Sequence, residues 1–250
     1  MPAPPSLPAA PVRGDVAAAL GTDASAGANP GSCTRRARST TNRGNGLNGA
    51  GTAAFLELVA GRRGHFRLES GHHGGLWLDL DPLFVHTPRV APLATALADA
   101  LRQYGADAVC GPMLGGAFLA QLVAQALGVD FHFTERVAPP PDAGGLFRVR
   151  YRLPPALASR VRGKRLAIVD DVMSAGSALR GTHAELQAHG GVVVAAGALL
   201  VLGQTGADFF AVQGIPVEAF ARDDYPLWLP DACPLCAAGV PLEDVTAAAE

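Results

Sequence analysis

Between Lys164 and His183 the chain reads KRLAIVDDVMSAGSALRGTH, and no other stretch restricts the fold so tightly. Leu166 to Val169 is a short apolar run with two β-branched residues, bounded upstream by Arg162, Gly163, Lys164 and Arg165, which predicts a buried strand of a parallel sheet. Asp170 and Asp171 stand at its C-terminal end. The small-residue turn Ser174-Ala175-Gly176-Ser177 follows, then a helical run from Ala178 to about His189. In an open α/β sheet, ligands gather at the carboxyl ends of the strands. A small-residue turn opening a helix leaves backbone N–H groups unpaired and aimed at one spot, where the helix dipole favours negative charge. The stretch therefore reads as a phosphate cradle.

Ser174 and Ser177 add hydroxyl donors, and Gly176 permits close approach of a ligand. The paired acids would repel a phosphate, so they must face hydrogen-bond donors or positive charge. Vicinal sugar hydroxyls beside a divalent cation fit, and a ribose 5-phosphate satisfies both halves of the stretch. The alternative at this level is an acid pair capping an ordinary βα loop.

Residues Val169 to Ala178 resemble the phosphoribosyl pyrophosphate (PRPP) signature of type I phosphoribosyltransferases, and Ala175 to Arg180 are most similar to the orotate branch. The resemblance covers about residues 52 to 222. It implies an α/β fold: a parallel sheet of about five strands with helices on both faces and an N-terminal β-hairpin hood. It further implies that Asp170 and Asp171 hold the ribose and Mg²⁺, and that Ser174, Ala175, Gly176, Ser177 and Ala178 hold the 5-phosphate. The loop Gly111 to Gly116 stands where the family has its pyrophosphate loop, with Gly115 and Gly116 as PRPP-binding positions. Arg136 opens the segment to Arg152 that corresponds to the mobile catalytic loop, and it assists the pyrophosphate. The hairpin pattern Phe-x-Leu-x-Ser-Gly is matched by Phe66, Leu68, Ser70 and Gly71, which places Phe66, Ser70 and Gly71 at the acceptor. The implied activity is that of a glycosyltransferase of nucleotide metabolism, moving 5-phosphoribosyl from PRPP to a small base or aromatic acceptor. Mg²⁺ would be its cofactor and a homodimer its assembly.

The chain also departs from that branch. Lys164 is its only lysine, so the lysines that orotate enzymes carry in the catalytic loop, in the pyrophosphate loop (Gly115 here) and before Ser-Gly in the hood (Glu69 here) are absent. No Arg occurs between Arg180 and Arg222, where the family grips the orotate carboxylate. Arg148, Arg150 and Arg152 can substitute in binding phosphate, or can form the solvent face of an edge strand. His72 and His73 are expected in an exposed turn, open to another acceptor or merely solvated. A non-catalytic PRPP sensor is the rival reading; a Rossmann dinucleotide site is disfavoured because Gly111 to Gly116 lacks the G-x-G-x-x-G spacing.

The remaining sequence sets limits. A chain of 250 residues that is 49% hydrophobic can bury a sizeable core, and a net charge of -2 points to neither nucleic acid nor an anionic membrane. No apolar run spans a bilayer and no secretory leader is evident, so a cytoplasmic location is expected. Residues 1 to 50 are rich in Pro, Ala, Gly and Ser and are expected to be disordered. A transferase domain is expected over 51 to 224, with the hood over 51 to 90, and an irregular tail over 225 to 250. A short helix is expected to end at Gly61, two strands to flank a turn at 70 to 75, and a helix to run from Leu93 to Tyr104. Cys233-Pro-Leu-Cys236 has metal-ligand spacing, but Zn²⁺ needs about four ligands. Two such pairs meeting across a dimer would complete a site, and the alternative is a reduced pair without metal.

Overall fold

Residues 165–173 form the strand that organises the structure, a computed structural model that describes residues 55–56, 58–138 and 145–245. The expected disordered tail and part of the long loop lie outside these. In chain order the elements are β1 (Ala60–Arg67), β2 (His73–Asp79), α1 (Thr87–Leu101), β3 (Ala108–Pro112), α2 (Gly115–Leu127), β4 (Asp130–Val137), β5 (Arg150–Arg152), α3 (Pro155–Ala158), β6 (Arg165–Met173), α4 (Ser177–Ala188), β7 (Val192–Leu202), α5 (Thr205–Val212), β8 (Val217–Asp223), β9 (Leu227–Trp228), α6 (Pro234–Ala237) and β10 (Glu243–Asp244).

A six-stranded sheet runs β5-β4-β3-β6-β7-β8. Four of its five pairings are parallel; the fifth, β4 with β5, is antiparallel and makes β5 an edge strand. Alternation along β6 divides the core. Ala167 and Val169 face a cluster with Val90 and Leu97 of α1 and Leu119 and Val123 of α2, whereas Leu166 and Ile168 face Leu179 and Leu186 of α4 and Phe210 of α5. Helices therefore cover both faces, as a strand apolar on both sides requires. From β3 the chain moves outward to β4 and then returns to the other side of β3 as β6, so strand order reverses between β3 and β6. A crevice opens at their carboxyl ends.

A smaller sheet, β10-β1-β2-β9, combines the early hairpin with two short strands from near the other end of the chain. The hairpin was foreseen, but β1 already begins at Ala60, where the short helix was expected to be finishing, and the turn is 68–72 rather than 70–75. Residues 225–245, expected to be irregular, supply β9, α6 and β10. Two-residue strands carry no readable alternation, which explains their absence from the sequence reading. α1 starts six residues before Leu93, with Pro88 in its first turn and Pro92 inside; proline at the start of a helix is compatible with its geometry. No helix among the described residues is long and apolar enough to cross a membrane.

Candidate active site

The acids lie inside β6, which continues four residues past Val169. Asp171 is 7% exposed. Its Oδ1 accepts the backbone N–H of Val172 at 2.7 Å, and Asp170 Oδ1 accepts that of Asp171 at 3.1 Å. Burial, together with the Asp171 charge beside it, pushes the Asp170 carboxyl well above its ordinary range; burial also raises Asp171, to about 6. Two neighbouring carboxylates out of water cannot both ionise cheaply. The pair is therefore short of positive charge, and a divalent cation or a set of hydroxyl donors would relieve it.

α2 begins directly against these acids. A Cβ at 115 would collide with the Asp171 carboxylate, and one at 116 would lie 2.7 Å from Asp170 Oδ1. Only a bare backbone lets the N-terminus of α2 approach so closely, which gives a physical reason for glycine where orotate enzymes carry lysine. The Met113–Leu114 peptide in this loop is cis.

The phosphate turn is built on a second close approach. Gly176 takes φ +76° at the start of α4, and Gly206 at the start of α5 donates its N–H to Ser174 O at 3.0 Å. A Cβ at 206 would stand 2.7 Å from that oxygen. The N-terminus of α4 leaves its first N–H groups without intrahelical partners, so Ser174, Ala175, Gly176, Ser177 and Ala178 form a concave donor surface next to the acids. Arg180, one turn on, points elsewhere. Its Nη2 donates to Thr205 O at 2.8 Å, and its guanidinium packs 4.2 Å from the Phe147 ring centroid and 4.1 Å from that of Phe209. It thereby fastens the end of the long loop to α4 and α5.

Beside the cradle a cavity of about 360 Å³ is lined by Ser174 from the turn, by Val172 and Leu202 from the large sheet and by Leu68, Glu69, Leu76 and Trp77 from the hairpin, with Arg136, Tyr151 and Tyr225 among its other walls. Arg136 and Tyr151 sit opposite each other in the β4–β5 register. Arg136 Nε meets Glu69 Oε2 at 3.3 Å, and the Tyr151 hydroxyl donates to the same carboxylate at 3.2 and 3.3 Å. Burial raises the Glu69 carboxyl, and Arg136 pulls it back.

Of the residues singled out from sequence, Asp170, Asp171, Gly115, Gly116 and the turn 174–178 converge, and Arg136 joins them across the cavity. Phe66 is buried with the Arg62 guanidinium 5.3 Å from its ring, and Ser70 Oγ pairs with the His72 ring at 3.0 Å; Gly71 lies against Leu146. The cavity walls take Leu68 and Glu69 from this hairpin in their stead. Arg150 and Arg152 are exposed on the outer strand β5, the solvent-face alternative. His72 and His73 are buried rather than exposed, because Phe147 packs on one and β9 pairs beside the other. Tyr151, Trp77 and Tyr225 were missed. The Arg-Tyr-Arg alternation could have marked Tyr151 as inward, but nothing local signals Tyr225. Cys233 and Cys236 stand outside the cavity lining, beside His65 and His73.

The family model described as a phosphoribosyl transferase domain matches residues 84–208. The chain is 33% identical over 194 residues to orotate phosphoribosyltransferase of Thermus thermophilus, covering 78% of this chain and 95% of that one. It is 30% identical over 194 residues to the enzyme of the same name from Thermotoga maritima, covering 77% and 91%. Among solved structures it resembles orotate phosphoribosyltransferase from Aeropyrum pernix, with a TM-score of 0.52 and 22% identity over 69% of this chain and 93% of that one. It also resembles adenine phosphoribosyltransferase from Thermoanaerobacter pseudethanolicus, with a TM-score of 0.54 and 17% identity over 69% and 99%. These two show the shared fold, a parallel sheet sandwiched by helices.

Proposed function

The chain belongs to the phosphoribosyltransferase family, and from that membership we propose that it transfers 5-phosphoribosyl from PRPP to a planar nitrogenous base, with release of pyrophosphate. The observation that carries the reading is the meeting of two charge-starved acids, Asp171 buried and Asp170 half-buried, with a donor-lined turn and two bare glycines at one crevice. Each part suits one part of the donor. The turn 174–178 takes the 5-phosphate on backbone N–H groups and serine hydroxyls. Asp170 and Asp171 accept hydrogen bonds from the ribose hydroxyls, and their shortage of positive charge suits them to hold Mg²⁺, which would supply it. Mg²⁺, when bound, neutralises the departing pyrophosphate. Gly115 and Gly116 offer their backbone to that pyrophosphate at the N-terminus of α2.

Arg136 uses one N–H on Glu69 and carries further donors for a pyrophosphate oxygen, so it can steady the leaving group without a lysine. The acceptor lies in the cavity, where Trp77 and Tyr225 give flat walls and Leu68, Leu76 and Leu202 exclude water. In this arrangement the β1–β2 hairpin acts as the hood, with Leu68 and Glu69 the contacting residues. Positioning and electrostatic stabilisation supply the rate, since positive charge develops on the anomeric carbon as the pyrophosphate departs.

The test measures pyrophosphate release from PRPP with Mg²⁺ and a panel of bases led by orotate, the acceptor in the relatives' names. Turnover with at least one base is expected, and changing both Asp170 and Asp171 to Asn should weaken PRPP binding on the order of a hundredfold or more, as two lost charge-assisted hydrogen bonds imply. Unchanged PRPP affinity in the double amide would sink the assignment. Tight Mg²⁺-dependent PRPP binding with no turnover across the panel would instead mark a PRPP sensor.

A further inference from the structure

Four side chains with metal-binding atoms converge at a point outside the reaction crevice. They are His65 of β1, His73 of β2, Cys233 just before α6 and Cys236 within it, and their four ligand atoms lie within 4.8 Å of one another. His65 Nε2 is 3.2 Å from His73 Nδ1, 3.3 Å from Cys233 Sγ and 3.7 Å from Cys236 Sγ, while Cys236 Sγ is 3.3 Å from His73 Nδ1. A tetrahedron with Zn–N of about 2.0 Å and Zn–S of about 2.3 Å has edges of about 3.3 Å between nitrogens and about 3.5 Å from nitrogen to sulfur. These four separations lie within about 0.2 Å of those edges.

The proton placement agrees. His65 Nδ1 lies 2.8 Å from the carbonyl oxygen of Val240, which can only accept, so Nδ1 carries the proton and Nε2 presents a lone pair to the two sulfurs. A ring held in that tautomer by a backbone carbonyl is the usual support behind a metal-bound histidine.

The surrounding chain gives the site a task. Between Leu229 and Val240 the only buried residue is Cys233; the rest are exposed apart from half-buried Leu235. Twelve residues with no apolar core of their own cannot hold one conformation against chain entropy without a tether. Three of the four ligands are buried and all four positions are filled by protein, which is the pattern of a closed structural site. Two nitrogens and two thiolates favour Zn²⁺ over oxygen-seeking cations.

We propose that His65, His73, Cys233 and Cys236 bind one structural Zn²⁺ that ties the C-terminal segment to the β1–β2 hairpin. The arrangement differs from both alternatives drawn from the sequence, two Cys pairs meeting across a dimer and a reduced pair without metal, because the two missing ligands come from the same chain. The inference is independent of the phosphoribosyl reading.

Zinc is measured in the full-length chain purified without chelator, and its Co²⁺ form is examined by absorption. About one zinc per chain is expected, with thiolate-to-cobalt charge-transfer bands and the intense ligand-field bands of tetrahedral coordination. Changing Cys236→Ser, the exposed ligand, should weaken retention of the metal and diminish the charge-transfer bands. Should that variant fail to fold, the spectrum of the unsubstituted chain decides alone. A chain that carries no zinc as purified and takes up neither Zn²⁺ nor Co²⁺ when reduced would overturn the site. So would a Cys233–Cys236 disulfide found by thiol titration of the purified chain.

Discussion

The two sheets are stabilised by different means. The six-stranded sheet has an apolar cluster on each face, with Ile168, Leu179, Leu186 and Phe210 fully buried on one side and Leu97, Leu101, Leu119 and Val123 on the other. The four-stranded sheet has one long pairing, β1 with β2, and its flanking strands add two residues each. Leu78 of β2 packs against the large apolar cluster, and polar contacts add to this: Arg62 with Glu243 at 2.7 Å, Arg67 with Asp244 at 3.1 Å, and the histidine–cysteine cluster. The cavity lies between them. On the proposed reading the sugar phosphate would be addressed by the large sheet, whereas the base would be enclosed by an element with its own, separable source of order. Reaction chemistry needs sub-ångström placement of the donor, while the acceptor must enter and leave, and the division matches those needs.

Three experiments would break or sharpen this contrast. Phe210→Ala, in the core of the large sheet, should lower global stability by about 3–5 kcal/mol, read from denaturant midpoints. A loss under about 1 kcal/mol would mean that the large sheet does not dominate the unfolding transition.

Asp170→Asn should come next. The folded carboxyls are raised, Asp171 from 3.8 to about 6 and Asp170 well above 3.8, so the folded chain retains protons that the unfolded chain has released. The pair's contribution to stability is therefore most favourable below the ordinary carboxylate range and declines as pH rises through that range toward 6 and beyond. Without donor, the amide should stabilise the chain at pH 7 by on the order of 1–3 kcal/mol and flatten melting temperature against pH, while weakening PRPP binding. A melting-temperature gain of the amide over the unsubstituted chain that fails to widen between pH 5 and 7 would contradict the raised values.

The smallest effect belongs to the other sheet. A double-mutant cycle on Arg62 and Glu243, side chains 52% and 51% exposed, should show weak coupling that disappears at high salt. Coupling that persists in high salt would show that the polar contacts, rather than a metal, hold β10 to β1.

What could be read from the sequence was what is local in the chain. The acids, the serine-bearing turn and the helix after it are contiguous, and β7 is likewise one apolar run with clear limits at Val192 and Leu202. The small sheet was opaque for the opposite reason. His65 and Val240 are 175 positions apart, and neither a two-residue strand nor a single CxxC carries information about which distant histidines will meet it. Glycine at 115 looked like a missing cation until the carboxylate of Asp171 was seen where a side chain would have to stand.

The short strands β9 and β10 also have a consequence for solution behaviour. They pair with the turn-proximal ends of β2 and β1, so those ends do not present bare amide and carbonyl groups to other molecules. Removal of residues 225–245 would uncover both ends at once, each a template for a neighbouring chain. Loss of solubility through self-association, ahead of any loss of the parallel sheet, is the expected outcome of such a truncation, and light scattering on the shortened chain would record it.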